Sequence, residues 1–279
     1  MSDIDTLPIE EIVRIMNDEN LHVNRAIHSA RKSISHAIHD AITAIQSGMS
    51  LIYIGAGTSG RLGVLDASEV PPTFGVSTDV IKAIIAGGNK ALTEAVEGAE
   101  DDEESGIRAV AGVGEGDMLL GISASGTTPY TLAALKDGKR RNAKCWLLTC
   151  NDVKYDFLDG IIKLPVEPEI IAGSTRLKAG TATKIVLNMI STAAMIKLGK
   201  VYKGCMVDVI PSNKKLRDRA IRIIQEITGC STEDAEIYLD KSAGNAKTAI
   251  LMYRKKLNFE DAKDLLKRSG GSLRMALGE

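Results

Sequence analysis

The sequence predicts an α/β fold on a parallel sheet, with helices ahead of it and a small helical module behind. Three observations carry this. Short apolar runs alternate with helical stretches from residue 48 onward, glycine- and hydroxyl-rich turns close two of those runs, and the periodicity becomes purely helical from about 211. Apolar runs of strand length between helical stretches are how strands buried on both faces read, and such strands run parallel.

The elements follow in order. Residues 8–47 are helical by period with a break near Asn20, and Ile27, Ile34, Ile38, Ile42 and Ile45 fall near one stripe. Strands are expected at 51–54, 80–86, 117–122, 145–149 and 160–164, and helices at 59–69, 89–111, 129–138 and 178–198. Pro71-Pro72 is expected to end the first of these helices, since proline lacks the amide donor and restrains its predecessor. Beyond 211, "NKKLRDRAIRIIQEITG" reads as a helix, followed by short helices near 232–240, 244–256 and 259–268. "CSTED" and "NFED" read as capping boxes, with Ser231 or Thr232 and Asn258 opening helices that carry acids in their first turn. Three segments result: helices over 1–47, a binding domain over 48–210 and a helical module over 211–279.

Composition limits the partners. With 35 basic and 36 acidic residues in 279, the formal net charge is −1, so no overall field recruits nucleic acid. One Trp and three Phe do not furnish stacking platforms for single strands. Cys145, Cys150, Cys205 and Cys230 form neither a close metal pair nor a dense disulfide framework. His22, His28, His36 and His39 fall on one helical stretch; His36 and His39 have metal-pair spacing but no third ligand, and a solvated face accounts for them. No basic-then-apolar leader and no run of 18 apolar residues is present, so a cytoplasmic protein without a membrane span is expected.

The run "LIYIGAGTSGRLGVLDASEVPPTFG" (51–75) poses the functional question. Gly55, Gly57 and Gly60 form a G-x-G-x-x-G after a strand, and a helix opening near Ser59 points free N–H groups at whatever lies over the turn, so Gly57, Thr58 and Ser59 are candidate anion ligands. A dinucleotide site also needs an acidic residue at the end of the next strand, roughly 20 residues on. Here that strand ends in Gly87-Gly88, and Asp79 lies at its other end. An anion is the expected guest, the residues here weigh against a nicotinamide or flavin cofactor, and they do not say which anion it is.

A second loop, "SASGTTPY" (123–130), offers Ser123, Ser125, Gly126, Thr127 and Thr128 ahead of a helix with Pro129 at its first position. Hydroxyls and free helix N–H groups together make a phosphate cradle that needs no metal. A third stretch, "IIAGSTRLKAGTATK" (170–184), adds Ser174, Thr175, Arg176 and Lys178, whose charges suit phosphate or carboxylate. Glu69, against the two prolines, and Glu100, in "AVEGAEDDEE", are the carboxylates suited to divide general acid and base work if they share a cleft.

At these residues the chain resembles the bacterial N-acetylmuramic acid 6-phosphate etherases, within the larger sugar-isomerase (SIS) family. The resemblance rests on "IYIGAGTSGRLGVLDASEVPPTFG", "IIAGGNKALTEAVEGAEDD", "GISASGTTPY", "GSTRLKAGTATKIVLNMISTAAMIKLGKVY" and "MVDVIPSNKKLRDRA". It implies a three-layer SIS-type domain binding a sugar phosphate, a helical C-terminal module, a homodimer, no metal and no redox cofactor. It also implies cleavage of a lactyl ether, with Glu69 as proton donor and Glu100 as the second acid/base residue. A sugar-phosphate isomerase or a sugar-phosphate sensor would share the loops. Thr127 stands where the family usually has Arg, leaving one cation fewer near the hydroxyl loop.

Overall fold

The computed structural model describes residues 3–211 and 213–279. The chain forms two compact units, one of Met1–Ala67 with Asp79–Ser191 and one of Ser68–Thr78 with Thr192–Glu279. The N-terminal helices belong to the first unit. The second starts before residue 211, because it takes in a short inner segment and the last part of a long helix.

The first unit opens with α1 (Ile9–Asp18) and α2 (Asn20–Gln46), broken at Glu19. Then come β1 (Leu51–Gly55), the helix α3 (Gly57–Phe74) and β2 (Ile81–Ile85). They are followed by the short helix α4 (Glu103–Ala109), β3 (Met118–Ile122), α5 (Pro129–Arg140), β4 (Lys144–Thr149), β5 (Gly160–Lys163) and α6 (Lys178–Lys197). The five strands are parallel in the order β2-β1-β3-β4-β5. Every residue of β1 and β3 is buried, as continuous apolar runs require. Ile52, Ile54, Leu119, Cys145 and Leu147 share a core with Tyr130, Ala134 and Leu135 of α5. On the alternate residues, Tyr53 donates to Asp66 of α3 and Trp146 donates to Asp40 of α2, so helices cover both faces.

The α2 face against the sheet is mostly alanine: Ala26, Ala30, Ala37, Ala41 and Ala44 are buried, with Val23, Ile27 and Ile34. Ile38, Ile42 and Ile45 of the expected stripe stand at its margin, half-buried. Small residues let the helix lie close to the strands.

Two expectations fail. α3 continues through Pro71 and Pro72 to Phe74. An interior proline costs about 3 kcal/mol, but the prolines stand in the last turn, where Val70 and Phe74 are buried on either side of them. The expected helix over 89–111 is also not one element. A 3-10 turn spans Gly88–Leu92, turns follow, and only α4 is α-helical. Gly98, inside the stretch, has a φ of 71°, a left-handed conformation that interrupts an α-helix. Asp102 then caps α4 by accepting from the Ser105 amide at 2.8 Å.

The second unit holds a two-stranded hairpin, β6 (Val201–Tyr202) and β7 (Cys205–Met206). After it come α7 (Lys214–Thr228), α8 (Thr232–Lys241), α9 (Ala246–Lys255), α10 (Phe259–Arg268) and α11 (Leu273–Leu277). Ser231 and Asn258 cap as expected, accepting from the amides of Asp234 and Asp261. Ile224, Leu239, Ile250 and Leu251 centre its core. Lys247, almost wholly buried, pairs with Asp208 and donates to the Gly271 carbonyl at 2.7 Å.

Candidate active site

Parallel strands send their following loops to one edge, and ligands bind where neighbouring loops diverge. In this sheet that point lies between β1 and β3, because β1 leads outward to β2 on one side while β3 leads to β4 and β5 on the other. Gly55 and Ile122 are register partners, so the turn opening α3 and the loop following β3 start side by side. The two loops singled out from the sequence therefore meet at the switch point.

Each glycine of the first turn has its own reason. A Cβ on Gly55 would sit 2.8 Å from the Ile122 carbonyl oxygen, and one on Gly60 would sit 2.7 Å from the Gly55 oxygen. These two let strand and helix close up. Gly57 has open space around it but a φ of +53°, which turns the chain into α3. Thr58 and Ser59 lie in the first helical turn, half-buried.

Across the switch point, Ser123 is the buried hub of the hydroxyl loop. Its Oγ lies 2.8 Å from Thr128 Oγ1 and 3.2 Å from Ser125 Oγ, and accepts from the Gly126 amide at 3.0 Å. Ser125 Oγ accepts from the amide and hydroxyl of Thr127 at 3.2 and 3.1 Å. Gly126 has a φ of +76°, and its carbonyl accepts from Tyr155 at 2.9 Å. Thr128 is the N-cap of α5 but makes no capping bond, because its hydroxyl is turned to Ser123. Ser125 and Thr127 are exposed, so this ordered ring of hydroxyls faces outward.

Glu100 belongs to the same edge. It stands in the turn before α4, and its carbonyl accepts from the Tyr130 amide in the first turn of α5 at 3.0 Å. A pocket of about 150 Å³ is lined by Gly57, Arg61, Glu97 and Glu100 together with small residues of 86–99. Arg61 donates to the carbonyls of Ala91 and Glu94, both at 2.8 Å, which pins the acidic turn to α3. Neither Arg61 nor Glu97 was singled out from the sequence, although both lie inside the motifs quoted.

Glu69 is exposed and lies further along α3, twelve residues beyond Gly57. It falls in the second compact unit, which takes in Ser68–Thr78, whereas Glu100 falls in the first. One turn before it, Asp66 is buried and accepts from Asn188 at 2.6 Å and from Tyr53 and Ser191 at 3.0 Å each. Burial pushes its carboxyl above the ordinary range, while the three donors and the charge of Lys184 pull the other way.

The third stretch divides. Ser174 lies in the turn before α6, half-buried. Lys178, expected to meet a ligand, is instead 4 % exposed and spent within the fold: it pairs with Glu19 and donates to the Pro168 carbonyl at 2.6 Å. The first two amides of α6 are likewise occupied, since Glu169 accepts from Lys178 N and Ala179 N at 3.0 and 2.9 Å. Arg176 remains exposed and lines a pocket with Thr58 and Lys184. Lys184 was missed, though Gly180, Thr181 and Lys184 share a face by helical spacing.

A further cavity of about 510 Å³ lies beyond the ends of β3 and β4, bordered by Ala124, Cys150, Asn151, Glu169 and Thr175. Burial and the nearby Glu169 push the Cys150 thiol up to about 12, so no thiolate is offered there at neutral pH. The four histidines of α2 are exposed or half-buried, and among the described residues no three His, Cys, Asp or Glu are grouped to hold a metal ion. By length and composition α6 could cross a membrane, but 56 % of its apolar window is buried in the protein, as in a core helix.

The profile of the glucokinase regulatory protein N-terminal SIS domain matches residues 33–139. The N-acetylmuramic acid 6-phosphate etherase of Geobacillus thermodenitrificans is 47 % identical over 98 % of this chain and 94 % of its own length. N-acetylmuramic acid 6-phosphate etherase 1 of Bacillus licheniformis is 50 % identical over 96 % and 89 %. Among solved structures, a putative phosphosugar isomerase of Bacteroides fragilis superposes with a TM-score of 0.52 at 16 % identity, covering 70 % of this chain and 94 % of its own. A putative sugar-phosphate isomerase of Listeria monocytogenes gives 0.50 at 11 %, covering 69 % and 93 %. At such identities these two show a shared fold.

Proposed function

Because the chain belongs to the N-acetylmuramic acid 6-phosphate etherase family, we propose that Glu100 and Glu69 are its catalytic carboxylates and that the switch-point loops hold its substrate. The protein is a carbon–oxygen lyase: it cleaves the D-lactyl ether of N-acetylmuramic acid 6-phosphate, giving N-acetylglucosamine 6-phosphate and D-lactate.

The chemistry assigns two tasks. An ether on an unactivated carbon resists hydrolysis, but the open-chain sugar has an aldehyde at C1 that acidifies the proton on C2. Glu100 removes that proton, the C3–O bond breaks, and the lactate oxygen keeps the electron pair and takes a proton from Glu69. Water then adds at C3 of the α,β-unsaturated aldehyde, and the C2 proton is returned. The acid must hold its proton near neutrality while the base gives its proton up, which requires different surroundings. Ser123, Ser125, Gly126, Thr127 and Thr128 take the phosphate, and Gly57, Thr58 and Ser59 face it across the switch point. Binding energy from the phosphate goes to orientation.

One observation carries this reading: the turn bearing Glu100 is hydrogen-bonded to the first turn of α5, the helix that the hydroxyl loop opens. We also propose a homodimer with loops of both subunits near each pocket, residues 170–184 bordering the neighbour. We place the enzyme in the cytoplasm. Incubation with N-acetylmuramic acid 6-phosphate should release D-lactate, and none above a protein-free control would end the etherase reading. Mixing Glu69→Gln with Arg176→Gln protein should restore activity if the site is shared. No recovery after verified subunit exchange would confine each site to one chain.

A further inference from the structure

A 3-O-lactyl sugar phosphate carries two anions, the phosphate and the lactyl carboxylate, and its site needs two places for negative charge. The hydroxyl loop is one. The first unit contains a second, a pocket of about 260 Å³ lined by Thr58, Leu62, Arg176, Gly180, Thr181 and Lys184. It begins at the first turn of α3, at the residue after Gly57, which itself lines the Glu100 pocket. Pockets that enclose a whole small ligand run from roughly 300 to 1,000 Å³, so this one suits a fragment.

Its charge is one-sided. Two cations and two hydroxyl residues line it, and it has no acid. Among the described residues neither Arg176 nor Lys184 forms an ion pair, although the charge of Lys184 is felt by the buried Asp66, whereas Lys178, six residues before Lys184, is spent on Glu19 and a carbonyl. Gly180 keeps the wall low: a Cβ there would meet the Thr58 methyl at 3.7 Å. A planar guanidinium takes a carboxylate through paired N–H donors, and an ammonium beside it adds a point charge.

We propose that Arg176 and Lys184 bind the lactyl carboxylate, so that this pocket selects a 3-O-lactyl amino sugar phosphate over the same sugar without the ether. The inference rests on the etherase reading and adds to it the specificity element for the departing group. The carboxylate keeps its charge throughout, so the cations hold it from substrate to free D-lactate.

The test compares two reactions of one protein. Lys184→Gln and Lys184→Arg are assayed for D-lactate release from N-acetylmuramic acid 6-phosphate. Each is also assayed in deuterated water for exchange at C2 of N-acetylglucosamine 6-phosphate, which has the phosphate but no lactyl group. Lys184→Gln should lower kcat/KM for lactate release at least tenfold more than it lowers the exchange, chiefly through KM, and Lys184→Arg should recover most of the loss. An equal fall in both reactions would overturn the proposal by giving the cations to the phosphate. No fall in either would overturn it by leaving the pocket without a ligand. Arg176→Gln, in an exposed turn, repeats the comparison should Lys184→Gln fail to fold. Wild-type protein that exchanges C2 but releases no lactate would overturn the etherase reading itself.

Discussion

Lys178 and Lys184 stand less than two turns apart on α6, yet one is buried against Glu19 and a carbonyl while the other is exposed beside Arg176 and Thr58. The same contrast runs through the first unit. Asp66, Asp102 and Glu169 have their oxygens filled by protein donors, whereas Glu100, Ser125 and Arg176 are exposed at the loop edge. Charged residues in glycine-rich segments thus divide into those that hold loops in place and those the loops present. A filled group should cost stability when removed, and a presented one should cost activity while the fold persists.

The largest expected effect is on the presented side. Glu100→Gln should lower D-lactate release by about 10²- to 10⁴-fold, the usual worth of a positioned acid or base, and should abolish C2 exchange while the thermal midpoint barely moves. A large drop in the midpoint would return Glu100 to the filled class. Next comes the filled side. Lys178→Met strands Glu19 and leaves the Pro168 carbonyl without its donor, and should destabilise the first unit by about 3 kcal/mol in denaturant unfolding. If it instead raises KM with stability intact, the contrast between the two lysines is wrong. The smallest effect sharpens the boundary, because Ser125 is both bonded within its loop and exposed. Ser125→Ala should weaken phosphorylated sugars by roughly 1.5–3 kcal/mol and hardly change affinity for the unphosphorylated sugar. Equal weakening of both would make the hydroxyl ring structural.

How far the sequence disclosed this depends on what kind of force placed each residue. The five strands and the caps at Ser231 and Asn258 follow from local rules, an apolar run or a hydroxyl before acids, and were legible. The turn carrying Glu100 was not. Its alanines and glutamates are good helix formers, and the positive φ of Gly98 breaks the helix inside that stretch. The prolines of α3 misled for the opposite reason, since burial of Val70 and Phe74 overrides a local prohibition. Lys178 and Lys184 could not be sorted at all from sequence, because the partner that consumes Lys178 lies 159 residues away. Loop composition announced which residues gather at the edge; long-range hydrogen bonds decided which of them are available.

If the ether leaves by elimination across C2 and C3 with Glu100 as the base, the hydrogen at C2 exchanges with solvent during turnover, and one labelling experiment reads this directly. N-acetylmuramic acid 6-phosphate is turned over in deuterated water, and the N-acetylglucosamine 6-phosphate formed is read for deuterium at C2 alongside the D-lactate released. Wild-type protein should give deuterium at C2 of the product in step with lactate, and in Glu100→Gln both should fall together. Lactate released with the C2 hydrogen retained would contradict that elimination, because the C3–O bond would then have broken without the proton abstraction assigned to Glu100.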